Sequence, residues 1–254
     1  MLFDTHAHLD GEEFDESREE IIAKFRESGV SLMLNAGASL EGSINGAELA
    51  KKHGFIYASV GIHPEYAGNV PEDYLKTLKK LATENKKVVA IGEIGLDYHY
   101  EPYDAAAQKK LFKEQCELAR ELKLPIIVHS RDAYADTLEI IKQFPDLKKV
   151  IHCFSGNLEN AKELVALGCY ISFTGVITFK NAKKFVDILR FMPKDRLFFE
   201  TDCPYLAPEP VRGTVNDPNN VRYIVRHAAE TIGEDYESLA VRTTENAKEF
   251  FGIK

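Results

Sequence analysis

Eight short apolar runs recur along this chain, each followed by a longer amphipathic stretch, and no other feature limits its possible folds so tightly. The runs are Leu2–His6, Leu32–Ala36, Ile56–Gly61, Val88–Glu93, Ile126–His129, Val150–Cys153, Cys169–Phe173 and Leu197–Glu200. Segments of about four to eight residues without clean polar alternation read as strands covered on both faces. Helical patterns separate them, at Ser17–Ser28, Glu48–His53, Tyr74–Glu84, Ala105–Leu122, Ala135–Phe144, Leu158–Leu167 and Ala182–Leu189. Two more, Val221–Thr231 and Tyr236–Phe251, follow the eighth run. Gly29, Gly54 and Gly168 come directly after three of the helical patterns, where a left-handed helix end favours glycine.

Strands that alternate with helices imply a parallel sheet. Eight strand–helix units in 254 residues average about 32 residues each, which fits a βαβ unit of roughly 30 residues. The pattern therefore predicts a closed (β/α)₈ barrel occupying residues 1–254 as a single domain. A doubly wound open sheet is the rival. No GxGxxG follows the first strand, and the chain lacks a GxxxxGK[ST] loop and a GxSxG elbow.

Composition narrows the class. Apolar residues make up 44% and charged residues 28%, as in globular proteins. No apolar run approaches the roughly 18 residues of a membrane span. The start, Met1-Leu2-Phe3-Asp4, shows no basic region followed by an apolar stretch, so a cytoplasmic location and no membrane partner are expected. Cys116, Cys153, Cys169 and Cys203 are far apart, without a CxxC pair, which argues against a disulfide framework or a zinc knuckle. The net charge of −8 counts against binding nucleic acid by broad phosphate neutralisation. It leaves open a protein that grips one phosphate through metals.

In a barrel, the C-terminal ends of the strands converge on one face, and that face carries the active site. Candidate ligands fall at those ends. The first strand gives His6 and His8, two apart and therefore on one side of an extended chain. The fourth gives Glu93, the fifth His129, the sixth His152 and the eighth Asp202, while His63 follows the third. Four imidazoles and two carboxylates exceed what one tetrahedral ion needs. They suit two divalent cations, zinc, manganese or magnesium, about 3.5–4 Å apart. A bound metal can lower the pKa of its water from about 15.7 to about 7, giving a hydroxide nucleophile at neutral pH.

The segments DTHAHLD, VGIHP, IGEIGLDY, PIIVHSR, HCFSG and ETDCPYLAP, in this order, resemble the TatD family of metal-dependent deoxyribonucleases, within the amidohydrolase-like barrel superfamily. The resemblance runs from Phe3 to about Phe251. It implies that His6, His8 and Asp202 hold one metal, that His129 and His152 hold a second, and that Glu93 bridges both. It also implies that His63 contacts the substrate phosphate. Glu93 stands where many amidohydrolases use a modified lysine, which favours the TatD branch. Many relatives carry a lysine after Arg-Gly where this chain has Arg212-Gly213-Thr214, so a phosphate contact at that position is in question.

The reading is a two-metal phosphodiesterase acting on DNA, at single strands or 3′ ends, with 3′–5′ exonuclease action implied by resemblance alone. Asp202 would take the proton of the attacking hydroxide, and a metal or His63 would assist the leaving oxygen. Arg131 and Arg212 would grip phosphate through the guanidinium fork. Asp4 and Glu200 would stand just behind the ligands, with an ion pair to Arg131 the other reading of Glu200. Tyr98, His99, Tyr100 and Tyr103 follow the fourth strand and offer rings for unpaired bases. The rival enzyme is an amidohydrolase acting on lactones, amides or esters; a third possibility is a barrel that binds without catalysis. The residues leave the oligomeric state open.

Overall fold

The computed structural model describes all residues, Met1–Lys254, as the eight-stranded barrel expected from the sequence. The strands are β1 (Leu2–Ala7), β2 (Val30–Asn35), β3 (Ile56–Val60), β4 (Val88–Asp97), β5 (Ile126–Arg131), β6 (Lys149–Ile151), β7 (Tyr170–Phe173) and β8 (Leu197–Phe199). They run parallel in sequential order, each paired with the next. The helices are α1 (Arg18–Ala23), α2 (Phe25–Ser28), α3 (Leu40–Lys52), α4 (Tyr74–Glu84), α5 (Ala105–Leu122), α6 (Tyr134–Lys142), α7 (Leu158–Ala166), α8 (Lys184–Phe191), α9 (Val221–Ile232) and α10 (Tyr236–Phe251). None is long and apolar enough to cross a membrane.

The first strand meets the last through the site itself. The Asp202 N–H donates to the His6 carbonyl at 2.9 Å, and the His8 N–H donates to the Cys203 carbonyl at 2.9 Å. Beside them the buried Asp4 carboxylate accepts from the Thr201 N–H at 2.8 Å and from the Thr201 hydroxyl at 2.6 Å. Asp4 thus stitches β1 to β8. It does not stand behind a histidine ring.

Alternation along each strand separates two packed layers. Val128, Ile151 and Phe199 belong to the large cluster under the helices. Ile127, Val150 and Phe198 belong to a smaller cluster inside the barrel, which the end of α10 completes with Phe250 and Phe251. The inward residues two positions further on are His129, His152 and Glu200. The site therefore rests on an apolar floor.

The structure departs from the periodicity in places that matter. The third helix starts at Leu40, not Glu48, because the Ser39 hydroxyl caps it by accepting the Gly42 N–H at 3.0 Å. Gly42 and Gly46 hide this first half from a pattern search, and Gly46 is small because the Asn35 side chain packs there: a Cβ would lie 2.5 Å from its amide nitrogen. The stretch Ser17–Ser28 breaks at Lys24 into α1 and α2. β6 ends at Ile151, and Cys153 sits outside it with a left-handed φ of 45°. β4 and β5 run on past Glu93 and His129, to Asp97 and Arg131.

Candidate metal centre

Six side chains from five strand ends bring their donor atoms to one place. His6 Nε2 lies 3.2 Å from His8 Nε2, 3.3 Å from Glu93 Oε2 and 3.7 Å from Asp202 Oδ1. His8 Nε2 is 3.6 Å from each of the same two carboxylate oxygens. The other Glu93 oxygen, Oε1, faces a second group: His152 Nε2 at 2.7 Å and His129 Nδ1 at 2.8 Å, with those two nitrogens 3.1 Å apart. One carboxylate therefore serves two clusters with one oxygen each. Sequence reasoning named all six side chains.

The donor set fits cations. A tetrahedral ion held at about 2.0–2.1 Å spaces its donors about 3.3–3.4 Å apart, close to the 3.2–3.7 Å of the first group. His8 Nδ1 donates to the Ala36 carbonyl at 2.9 Å, so the neutral ring, once its Nε2 proton leaves, turns a lone pair to the group. The second group stands at hydrogen-bond distance, where protons or a cation can neutralise Glu93.

The backbone makes room for this. Gly95, in register with His129, has a φ of 146°, and a Cβ there would come within 2.0 Å of the His129 carbonyl. Any side chain would push β4 off β5 and pull Glu93 from His129.

Burial and charge set the protonation states. Burial opposes the charged form of Glu93, but His152, His6 and His63 outweigh it and hold its carboxyl well below the usual range. Burial also opposes ionisation of Asp202, yet His8 and His152 keep its carboxyl low. Burial would lower His8, while Asp202 and Glu93 raise it to about 9. His152 and His129 are raised against burial by their carboxylate neighbours. Burial and the neighbouring His152 lower His6.

His63 differs from the rest. Its Nδ1 accepts the Glu65 N–H at 3.3 Å, so a neutral ring carries its proton on Nε2, which lies 3.7 Å from Glu93 Oε1. Burial lowers its pKa to about 3. The ring is neutral at physiological pH and presents a donor to the cavity.

All of these groups except the fully buried His6 line one open cavity of about 1000 Å³ at the C-terminal ends of the strands. Arg131 lines it too, its guanidinium 5.0 Å over the Tyr100 ring. Glu200 makes no pair with Arg131. It accepts the Cys153 N–H at 2.7 Å and lies 3.5 Å from His152 Nδ1, behind that ring. Arg212 stands apart, exposed on the loop after β8 and 4.2 Å over Phe179.

The family is decided by comparison. A model of TatD related DNases matches residues 3–252. This chain belongs to the TatD-related DNase family. The "uncharacterized metal-dependent hydrolase YabD" of Bacillus subtilis is 42% identical over 255 residues, covering all of both chains. The "3'-5' ssDNA/RNA exonuclease TatD" of Cronobacter sakazakii is 36% identical, over 98% of this chain and 97% of that protein. Among solved structures, YJJV, a TatD homologue from Escherichia coli, has a TM-score of 0.93 at 29% identity, over 100% of this chain and 98% of that one.

One residue escaped sequence reasoning. Asp97 Oδ2 lies 3.0 Å from His129 Nε2, and its other oxygen accepts the His99 N–H at 2.9 Å. The hydrogen bond from His129 keeps the Asp97 carboxyl below its usual range, against the effect of burial. A carboxylate there fixes the ring so that Nδ1 faces Glu93. Ending the fourth strand at Glu93 concealed it; alternation continued past Gly95 would have marked Asp97. Asp97→Asn is expected to weaken metal binding by about 10–100-fold, measured by titration calorimetry. Unchanged affinity would remove this role.

Proposed function

We propose that this chain is a metal-dependent phosphodiesterase that degrades DNA, with single strands as substrate and the 3′ end as the point of attack. The observation that carries the reading is Glu93, whose two oxygens face two separate histidine groups. In it His6, His8 and Asp202 hold one divalent cation, His129 and His152 hold another, and Glu93 touches both. The family and the relative named as a 3'-5' exonuclease support the substrate class.

Two cations so held would bind a phosphate oxygen, ease deprotonation of water near neutral pH and neutralise charge on the phosphorus. The protein does the rest. Asp202, ionised and on the wall of the cavity, accepts a proton from the attacking water. His63 donates its Nε2–H to a phosphate oxygen; as a neutral ring it binds and orients, which narrows its role from assisting the leaving oxygen. Arg131 gives a second donor at the wall. Tyr66, Tyr100 and Tyr205 also line the cavity and stay 40%, 71% and 60% exposed, which suits stacking on unpaired bases.

The test is metal-loaded enzyme on single-stranded DNA labelled at either end, beside a panel of lactones and N-acyl amino acids. Stepwise shortening from the 3′ end, lost in Glu93→Ala, is the expected result. Cleavage of the lactones alone would favour the amidohydrolase reading, and metal binding without any turnover a non-catalytic one. DNA cleavage equal in wild type and Glu93→Ala would mark a contaminant.

A further inference from the structure

Building on the nuclease reading, we propose that the loops after β7 and β8 form a cationic ledge that carries the phosphate backbone of the strand entering the cavity. Lys180, Lys183, Lys184 and Arg212 are all exposed and lie on two loops that pack together. The Arg212 guanidinium covers Phe179 at 4.2 Å. The Glu209 N–H donates to the Thr178 hydroxyl at 2.9 Å. Gly175 backs directly onto the Leu206 carbonyl, where a Cβ would come within 2.1 Å. The two loops are therefore one surface.

None of these four cations lies within ion-pair distance of a carboxylate. Other surface lysines do find such partners, as Lys24 does with Glu20, Lys142 with Glu163 and Lys162 with Glu159, and what distinguishes this surface is four unpaired cations on two adjoining loops. The segment Phe179-Lys180-Asn181-Ala182-Lys183-Lys184 contains no acid, and Glu209 is the only acid between Cys203 and Asn216. In a chain of net charge −8, such a concentration of unpaired positive charge is a local feature. Fold stability does not account for it. Lys183 caps α8 and Lys184 opens it, without any side-chain cap, and cations there oppose the helix dipole.

Position gives the ledge its direction. The Lys184 ammonium donates to the Ser155 carbonyl, and Ser155, Val176 and Leu206 line the cavity. The surface is thus continuous with the mouth. Across the barrel from β7 and β8, the loops after β3 and β4 bring the carboxylates of Glu65, Glu101 and Asp104 to the cavity. A polyanion with one phosphate in the centre is repelled on that side and held on this one. The same division explains how an acidic protein can hold a strand without a broadly basic surface.

The experiment compares wild type with the triple variant Lys180→Ser, Lys183→Ser, Lys184→Ser, which leaves serine as a good N-cap for α8. Substrates are bis(p-nitrophenyl) phosphate and a labelled single strand of about 15 nucleotides, within the site sizes of strand-binding grooves. Turnover of the small diester stays at the wild-type level, while KM for the strand rises about 10-fold at low salt. The slope of log affinity against log salt becomes shallower by about 0.7 for each phosphate that the ledge no longer neutralises. A charge-keeping variant, with arginine at all three positions, restores both values. An unchanged KM and slope overturn the ledge, and so does an equal loss on both substrates. Should wild type hydrolyse the small diester but cut no strand, the nuclease reading fails. Fluorescence anisotropy of the labelled strand then decides the ledge: weaker, less salt-dependent binding by the variant supports it, and equal binding overturns it.

Discussion

Glu93→Gln is expected to empty both halves of the centre and to abolish turnover. The substitution keeps the size of the side chain and removes one negative charge from the midst of His6, His8, His129 and His152. Because each oxygen serves a different group, no neighbour can take over. Asp202 Oδ1 lies 3.7 Å from His6 and 3.6 Å from His8, with His152 farther off, and Asp97 reaches the far nitrogen of His129. The loss should exceed the roughly 10–100-fold that outer partners of a metal site cost. Elemental analysis of the purified protein, beside strand cleavage, checks it. A variant that holds both metals at full stoichiometry would overturn the bridging role.

The same substitution has a consequence for stability after chelation. The folded Glu93 carboxyl is held below its usual range by the surrounding imidazoles, although burial works the other way. A group with a depressed folded pKa stabilises the fold above its unfolded pKa and ceases to do so as pH falls through the folded value. Chelated wild type should therefore melt above chelated Glu93→Gln at neutral pH, with the gap closing well into the acid range. A gap that is constant with pH would assign the difference to packing.

The features that were legible in the sequence are those that physics writes locally. Strand runs such as Ile126–His129 carry their own burial signal, and in a barrel each run ends where the active face begins. That alone placed His129, His152 and Asp202 together, although Asp202 is about 200 residues from His6. The features that were hidden depend on neighbours in space. Asp4 looks like a ligand's backing residue in DTHAH, but it turns sideways because Thr201 of the adjacent strand end offers it two donors. Arg212 looks like a grip on the phosphate at the metals, and its loop folds back on Phe179, which leaves it outside the cavity on the ledge. The start of α3 was masked by two glycines, one of them dictated by Asn35 on β2. In each case the deciding partner lies far away along the chain.

Asp202→Asn should separate proton transfer from metal holding. Asp202 has a left-handed φ of 55°, and its N–H is tied to the His6 carbonyl. Such a conformation costs a bulky residue on the order of 1–3 kcal/mol, but asparagine tolerates it nearly as well as aspartate. The turn that joins β8 to β1 therefore survives the change, and an amide oxygen can still face His6 and His8. What disappears is the base. Removing a general base costs about 10²–10⁴-fold, and the loss should fall on kcat, with KM for the strand little changed. The charge leaves as well, so His8, which Asp202, Glu93 and Asp10 hold at about 9 against burial, loses one of the groups that keep it protonated. Fewer protons then have to leave when metal binds, and metal affinity should vary less steeply with pH in the variant than in wild type. Near-normal kcat with metals retained would remove the proton-acceptor role. A pH dependence of metal binding that matches wild type would show that Glu93 and Asp10 govern His8 without Asp202.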